Sequence, residues 1–331
     1  MKRRWNNDLE KPEAACNGTH PTEKNAKISF TCRFHKENDK FRLVVFCLMQ
    51  YNVSIISQGR EKMLYRIDHY TESEINPLTG QIYDDSWILY CLTESDDYQM
   101  MVGNSISGVY TVKVSKNYTG WEMSVCDFIQ FQESRHKNIL LSIGQEDLEK
   151  AQQLYRGHKY NDPFLRENES DVLIHSTTYE NWESIKKDRF LKSWNVLNHE
   201  KLIWEDKPIG QELGDPLDFR NFIMFSSGSI SGEIVVLSKQ NGKIMMNQDM
   251  TYKTGARLYF DSEKIAADGL LIRDGIHLKV MDKLPLEPYL LWCATWDKVG
   301  LNSNISTPKE FTEKSNMMFN HLFKRNITTT F

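Results

Sequence analysis

Phe260-Asp261-Ser262-Glu263-Lys264-Ile265-Ala266-Ala267-Asp268-Gly269-Leu270-Leu271-Ile272-Arg273-Asp274-Gly275-Ile276-His277-Leu278-Lys279-Val280 is the stretch on which the fold turns. An extended run beginning at Ala256 ends at Asp261, a short helix follows, and Asp268-Gly269 closes it. Arg273 then sits in a turn before Asp274-Gly275, and Gly275 to Val280 is extended again. Pro285-Leu286-Glu287-Pro288-Tyr289 follows. Strand, short helix, turn and strand in so few residues imply a small α+β unit.

Upstream, Asp171-Val172-Leu173-Ile174-His175 is a short β-type run, and Ser176-Thr177-Thr178 supplies an N-cap for a helix from Tyr179 to Ile185. An irregular, insert-like segment spans Ser193 to Asp218. Phe222 to Phe225 and Glu233 to Ser238 are expected as strands, and Asn241-Gly242 is expected to turn a hairpin into Lys243-Ile244-Met245-Met246. Beyond Gly300 the sequence is polar, with an amphipathic helix expected from Pro308 to Phe323.

Toward the amino terminus, residues 1–26 are polar and aperiodic, too poor in apolar groups to offset their ordering entropy, and are expected to be a flexible leader. Alternation at Ile28 to Phe34, and β-branched or aromatic runs at Arg42 to Gln50, Trp87 to Leu92 and Val109 to Val114, predict strands. Asn76-Pro77-Leu78-Thr79-Gly80 and Gly103-Asn104 mark turns between them. One helix is expected over Glu146 to Tyr155. The predicted organisation is a leader (1–26), a β-rich domain (27–157), a linker (158–170) containing Asn161-Asp162-Pro163, an α+β domain (171–300) and a polar tail (301–331). With 331 residues, two cores are the natural division.

Composition narrows the function classes. A net charge of −4 gives no general attraction to nucleic acid or anionic lipid. No apolar run approaches the roughly 20 residues that cross a bilayer, so no membrane association is expected. Lys2-Arg3-Arg4 is followed by polar residues where a signal peptide would be apolar, and the cytoplasm is the expected location. Cys16, Cys32, Cys47, Cys91, Cys126 and Cys293 are scattered singly, as reduced thiols are. His158, His175, His199 and His277 lack metal-ligand spacing, so no metal is expected.

The closing stretch resembles that of the RNA 2′-phosphotransferase family, within the NAD-consuming ADP-ribosyltransferase-like superfamily. Val172-Leu173-Ile174-His175-Ser176-Thr177-Thr178 resembles the family's opening strand, and Phe222-Ile223-Met224-Phe225-Ser226-Ser227-Gly228 its middle strand and loop. The likeness covers about 120 residues in patches, Asp171 to Cys293. It departs at Ser176, where the family has Gly, and at Met224, where it has a second His. The resemblance implies an ADP-ribosyltransferase-like mixed α+β fold, NAD as cofactor, and ADP-ribose transfer to RNA or another phosphate-bearing acceptor.

On that reading His175, Ser176, Thr177, Tyr252 and Ser226 are the candidate cofactor-binding residues, with Tyr252 stacking on nicotinamide. Displacing nicotinamide develops positive charge on the sugar and arginines would hold the pyrophosphate, so basic clamps are what the chemistry needs; likeness to the protein-modifying ADP-ribosyltransferases adds a glutamate that stabilises the cation and activates the acceptor. Arg273 and Arg257 are the candidate catalytic clamps, Arg220 and Lys253 further basic candidates, and Glu233 the candidate carboxylate. Each residue has a plainer reading. His175 is otherwise a strand-end histidine satisfied by a hydroxyl, Arg257 a solvent-facing strand arginine, and Arg273 a surface partner of Asp268 or Asp274. Glu233 is otherwise a strand-edge charge, Ser226 and Ser227 loop hydroxyls, and Tyr252 a core or surface ring. Trp87, Tyr90, Trp121 and Phe128 fit a stacking platform for bases, and fit a core more cheaply. The expected function is NAD-dependent transfer. The rivals are a catalytically inactive module that binds nucleotide, RNA or protein, and a protein-modifying ADP-ribosyltransferase effector.

Overall fold

Parallel pairing at the centre of the first sheet sets the architecture. The computed structural model describes residues 53–59, 62–70, 72–103, 108–203, 205–302 and 305–330. The expected leader, the strands over Ile28 to Phe34 and Arg42 to Gln50, Cys16, Cys32, Cys47 and Asn104 of the second turn lie outside these residues. The amino-terminal elements are β1 (Val53–Gly59), β2 (Lys62–Ile67), β3 (Trp87–Thr93), β4 (Met100–Gly103), β5 (Thr111–Ser115), α1 (Trp121–Ser134), β6 (Asn138–Ser142) and α2 (Gln145–Leu154). Their strands form one sheet in the order β1-β2-β6-β3-β5-β4. The inner four run parallel, and β1 and β4 add antiparallel edges.

Six strands make up most of this part and the helix expected over Glu146 to Tyr155 forms as α2, but α1 was not expected. Parallel strands are buried on both faces and read as apolar runs, as Ile88 to Cys91 and Ile139 to Leu141 do. The helical crossover α1 is what sequence periodicity missed. In α1, Trp121, Val125, Phe128, Ile129 and Phe131 are joined in burial by Ser124, Asp127 and Gln132. A helix covered on most of its circumference shows no polar face, and so no clean 3.6-residue pattern. Tyr90, Trp121 and Phe128 belong to the core, with Tyr90 and Phe128 in ring contact at 5.2 Å. The expected turn at Asn76 is present: the Asn76 carbonyl accepts from Gly80 N at 2.9 Å, and its side chain from Leu78 N at 2.8 Å.

The carboxy-terminal elements are β7 (Val172–Thr177), α3 (Tyr179–Asp188), β8 (Phe190–Lys192), α4 (Trp194–His199), β9 (Phe222–Phe225), α5 (Ser231–Asn241), β10 (Ala256–Asp261), α6 (Ser262–Ala267), β11 (Ile272–Arg273), β12 (Leu278–Met281), β13 (Lys283–Pro285), β14 (Leu290–Thr295) and α7 (Pro308–Phe323). All their pairings are antiparallel: β14-β10-β7, β11-β12-β9 and β13-β8. Two backbone hydrogen bonds between Ile174 and Ser226 tie β7 to the end of β9. The expected cap at Thr178 forms, accepting from Asn181 N; Asp261 likewise caps α6 by accepting from Lys264 N, and Thr307 caps α7 by accepting from Glu310 N, with Pro308 at the first helical turn. The whole is a mixed α+β structure of several sheets and seven α-helices among the described residues.

One element differs in kind from expectation. Glu233 to Ser238 is not a strand but lies within α5, and Gly242 at φ 63° is its C-cap rather than a hairpin corner. Ile234-Val235-Val236-Leu237 is β-branched and short, a pattern that strands and buried helices share. Packing decides it, since Val236 and Leu237 fill the core beneath β7 and α7.

The stretch expected as a linker is tightly held. Asp162 is buried, accepting from His158 Nδ1 at 2.9 Å and Lys159 N at 2.9 Å, and Arg166 bridges it to buried Asp127 of α1. Between the two parts, Lys279 is fully buried. Its ammonium lies 2.6 Å from Asp274 and 3.8 to 4.4 Å from the ring centres of Phe131, Phe219 and Phe222. Burial alone would raise the Asp274 carboxyl, but Lys279 and His277 outweigh it and hold it well below the usual carboxylate range.

Candidate functional site

Strand alternation divides the expected cofactor residues. Ser176 and Arg257 are register partners on β7 and β10, and the Arg257 guanidinium lies 3.4 Å from the Ser176 hydroxyl. His175, one residue earlier, projects from the opposite face. Its Nδ1 is 3.0 Å from the Met224 carbonyl and its ring meets Phe225 edge to face. A carbonyl only accepts, so Nδ1 carries the proton and Nε2 is left as acceptor. Burial lowers the His175 pKa and favours this neutral form. Thr177 shares the His175 face of the strand.

On the other face four candidates converge. Gly232, at the start of α5, approaches β7 so closely that a Cβ there would fall 2.7 Å from Ser176 Oγ. Glu233 is thereby delivered to the strand face, where Oε2 accepts from Tyr252 OH at 2.7 Å and Oε1 stands 3.7 Å from Arg257. Arg257 also donates to the Ser229 carbonyl at 3.0 Å and lies 3.4 Å from Asn316 Oδ1 on α7. Both charged side chains are 0% exposed. Arg257 is therefore not the solvent-facing strand arginine of the plainer reading, nor is Glu233 a strand-edge charge. Burial raises the Glu233 carboxyl, against the opposing charge of Arg257, and also pushes the Tyr252 phenol up.

Asn316 escaped the sequence reading. It accepts from Tyr259 OH at 2.9 Å and donates to the Gly228 carbonyl at 2.9 Å, closing the cluster from the tail side. Its signal was an amide on the apolar face of an amphipathic helix, between Phe311 and Phe319. Ser226 contributes mainly backbone, through the bridge to Ile174.

Arg273 lies elsewhere and is 2% exposed. It forks onto the Glu169 carboxylate, with Nη2 to Oε2 at 2.6 Å, and donates to the carbonyls of Phe164 at 2.9 Å and Asp162 at 3.3 Å. Neither Asp268 nor Asp274 is its partner. The space beside Gly275 is filled too: a Cβ there would meet Phe128 Cβ and Ser124 O of α1, each at 2.7 Å. That glycine admits a helix, not a ligand. Arg220 is held by Gln211 and stacks over Trp194, and Lys253 pairs with Glu180. Among the described residues no His, Cys, Asp and Glu group has metal-holding geometry, and no helix is long and apolar enough to cross a membrane.

Among the described residues, surface clefts include two along the 194–218 segment. One of about 530 Å³ is lined by Trp194, Asn198, Lys201, Ile203, Glu205 and Asp206. The other, about 620 Å³, lies where the segment 207–218 faces the amino-terminal ends of β3 and β5. Asp215 lines it, and burial raises its carboxyl, assisted by Asp274 and opposed by His277 and Lys279. A raised folded-state pKa means stability that is present in acid and lost as pH rises through that pKa. Asp215→Asn is therefore expected to raise Tm at pH 7, with the gain shrinking as pH falls through the raised folded-state pKa and vanishing below about 4, as a thermal melt series across pH would show.

Compared with protein-family models, with curated proteins and with solved structures, the chain matches none.

Proposed function

We propose that this chain acts as a binding module, recognising a nucleotide, an RNA end or a protein partner without consuming NAD. The observation that carries this reading is the burial of its three candidate catalytic side chains. Arg257, Glu233 and Arg273 are at most 2% exposed, and each is engaged by partners within the fold. A guanidinium already forked onto a carboxylate has no plane of donors left for a phosphate. Incubation with NAD, followed by nicotinamide release with and without RNA bearing an internal 2′-phosphate, tests the reading. The expected result is release no faster than buffer alone in either case. Release that depends on that RNA would overturn it.

The convergence of Ser176, Glu233, Tyr252 and Arg257 favours a second reading, NAD-dependent ADP-ribosyl transfer. Hydroxyl, carboxylate, phenol and guanidinium are the groups a cationic sugar transition state and its phosphates require. This function needs α7 to withdraw so that Arg257 reaches solvent. On this reading Glu233→Gln lowers nicotinamide release at least tenfold, about 1.4 kcal/mol of transition-state stabilisation. Unchanged release in that variant would exclude Glu233 as the stabilising carboxylate.

A further inference from the structure

Around the 620 Å³ cleft, most charges are already spoken for. Arg135 Nε pairs with Asp218 at 3.0 Å, Lys207 with Glu212 at 2.6 Å, and Lys137 donates to the Asp85 carbonyl at 2.5 Å. Asp84 accepts from Ser86 N at 2.8 Å and is held low by that interaction, so it remains anionic. The carboxylates of exposed Asp85 and half-buried Asp215 are the exceptions, and Asp215 is the more deeply set. Its carboxylate has neither hydrogen bond nor ion pair among the described residues, and His277 and Lys279 reach it only through space.

A second, independent feature points into the same cleft. Tyr110 lines it and is 7% exposed, held edge-on against Phe219 at 5.5 Å, and its hydroxyl has no hydrogen-bond partner. Asp215 and Asp218 are among the charges that act on that phenol. A buried hydroxyl and a half-buried carboxylate without partners are both costly to fold. The two lie on different elements, one at the start of β5 and one in the 207–218 segment. Trp87, Val109, Pro216 and Leu217 supply apolar wall beside them.

We propose that this cleft binds a small organic cation, an ammonium or amidinium group carried on a short apolar or flat body. The Asp215 carboxylate would accept its N–H groups, the Tyr110 oxygen would accept one more, and the body would lie along the apolar wall. A cation is attracted by the carboxylates of Asp84, Asp85 and Asp215, none of them in an ion pair among the described residues, whereas an anion adds to their charge. The proposal does not depend on whether the chain turns over NAD, since the cleft is distinct from the Arg257 cluster.

The local backbone offers a way to move the carboxylate without removing it. A Cβ on Gly210 would fall 2.1 Å from Asp215 Oδ2, the far end of a flexible side chain, so Gly210→Ala displaces the carboxylate at little cost to the fold. Calorimetric titration with benzamidine, and with benzoate and benzyl alcohol as its anionic and neutral counterparts, tests the site in the full chain. Benzamidine is expected to bind with a Kd of about 1 mM or tighter, more weakly as salt rises, and the other two not to bind measurably. Asp215→Asn and Gly210→Ala are each expected to weaken benzamidine at least tenfold, and Tyr110→Phe roughly threefold or more, with Gly210→Ala keeping the wild-type Tm. Benzoate binding as tightly as benzamidine, or benzamidine affinity unchanged in folded Asp215→Asn or Gly210→Ala, would overturn the proposal.

Discussion

Arg273→Ala is expected to lower stability by about 3–5 kcal/mol, the cost of breaking a buried pair from one side. The guanidinium is 2% exposed and anchors three things at once: the Glu169 carboxylate and the carbonyls of Asp162 and Phe164. Alanine leaves that carboxylate, 15% exposed, facing a cavity without its counter-ion. The Arg273 backbone amide also holds the Tyr160 carbonyl, a bond that alanine keeps, so the loss reports the side chain alone. Arg273→Lys keeps the charge but not the fork, and is expected to lose a substantial part of the same stability. Urea unfolding of both variants checks this. A midpoint for Arg273→Ala within about 0.5 kcal/mol of wild type, the range of ordinary surface changes, would mean that the fork contributes nothing.

Gly275→Ala is expected to be comparably severe. The residue has φ 95°, where an L side chain costs about 1–2 kcal/mol, and its added methyl would strike backbone and Cβ atoms of α1 at 2.7 Å. Overpacking of that kind costs a further 1–3 kcal/mol or so. Nothing at the contact is the free end of a side chain, so relief requires α1 to move away from the Asp274 turn. That motion would also disturb the hydrogen bond from Ser124 Oγ to the Gly275 carbonyl and the buried Lys279–Asp274 pair nearby. Thermal melts of Gly275→Ala beside Gly269→Ala, also left-handed but with nothing within 4 Å of a Cβ, separate packing from backbone strain. Equal losses in the two would show that the contact with α1 carries no energy.

Sequence legibility followed the range of the interactions involved. Local signals worked: the cap at Thr178, the helix begun at Tyr179, the helix over Pro308–Phe323, and the strand ending at Asp261 were readable from capping and periodicity. What failed depended on long-range partners. Helix α1 was hidden because it is covered on nearly every side. Helix α5 looked like a strand because Ile234-Val235-Val236-Leu237 carries β-branched residues whose context is tertiary. For the candidate site, residue types were chosen sensibly but their company was not legible. Ser176, Glu233, Tyr252 and Arg257 do meet, whereas His175 faces the other side of its own strand and Arg273 serves a different part of the fold. Asp215 and Tyr110 carry no local pattern at all, since their meeting depends on where an irregular segment settles.

The closure of the Arg257 cluster by α7 and the residues after it bears on the order in which the chain is made. Arg257 is synthesised well before Asn316, and before the Thr330 carbonyl that accepts from Ile230 N at 2.9 Å. At about 5–20 residues per second, roughly 4–15 s separate the emergence of the arginine from that of its last supporting strand of chain. Until those residues emerge, Arg257 lacks the Asn316 contact and Ile230 lacks its partner, while Ser176, Ser229, Glu233 and Tyr252 are already made. The cluster is therefore sealed last, and any chaperone that lingers on this half of the nascent chain would meet it still open on the side that α7 closes.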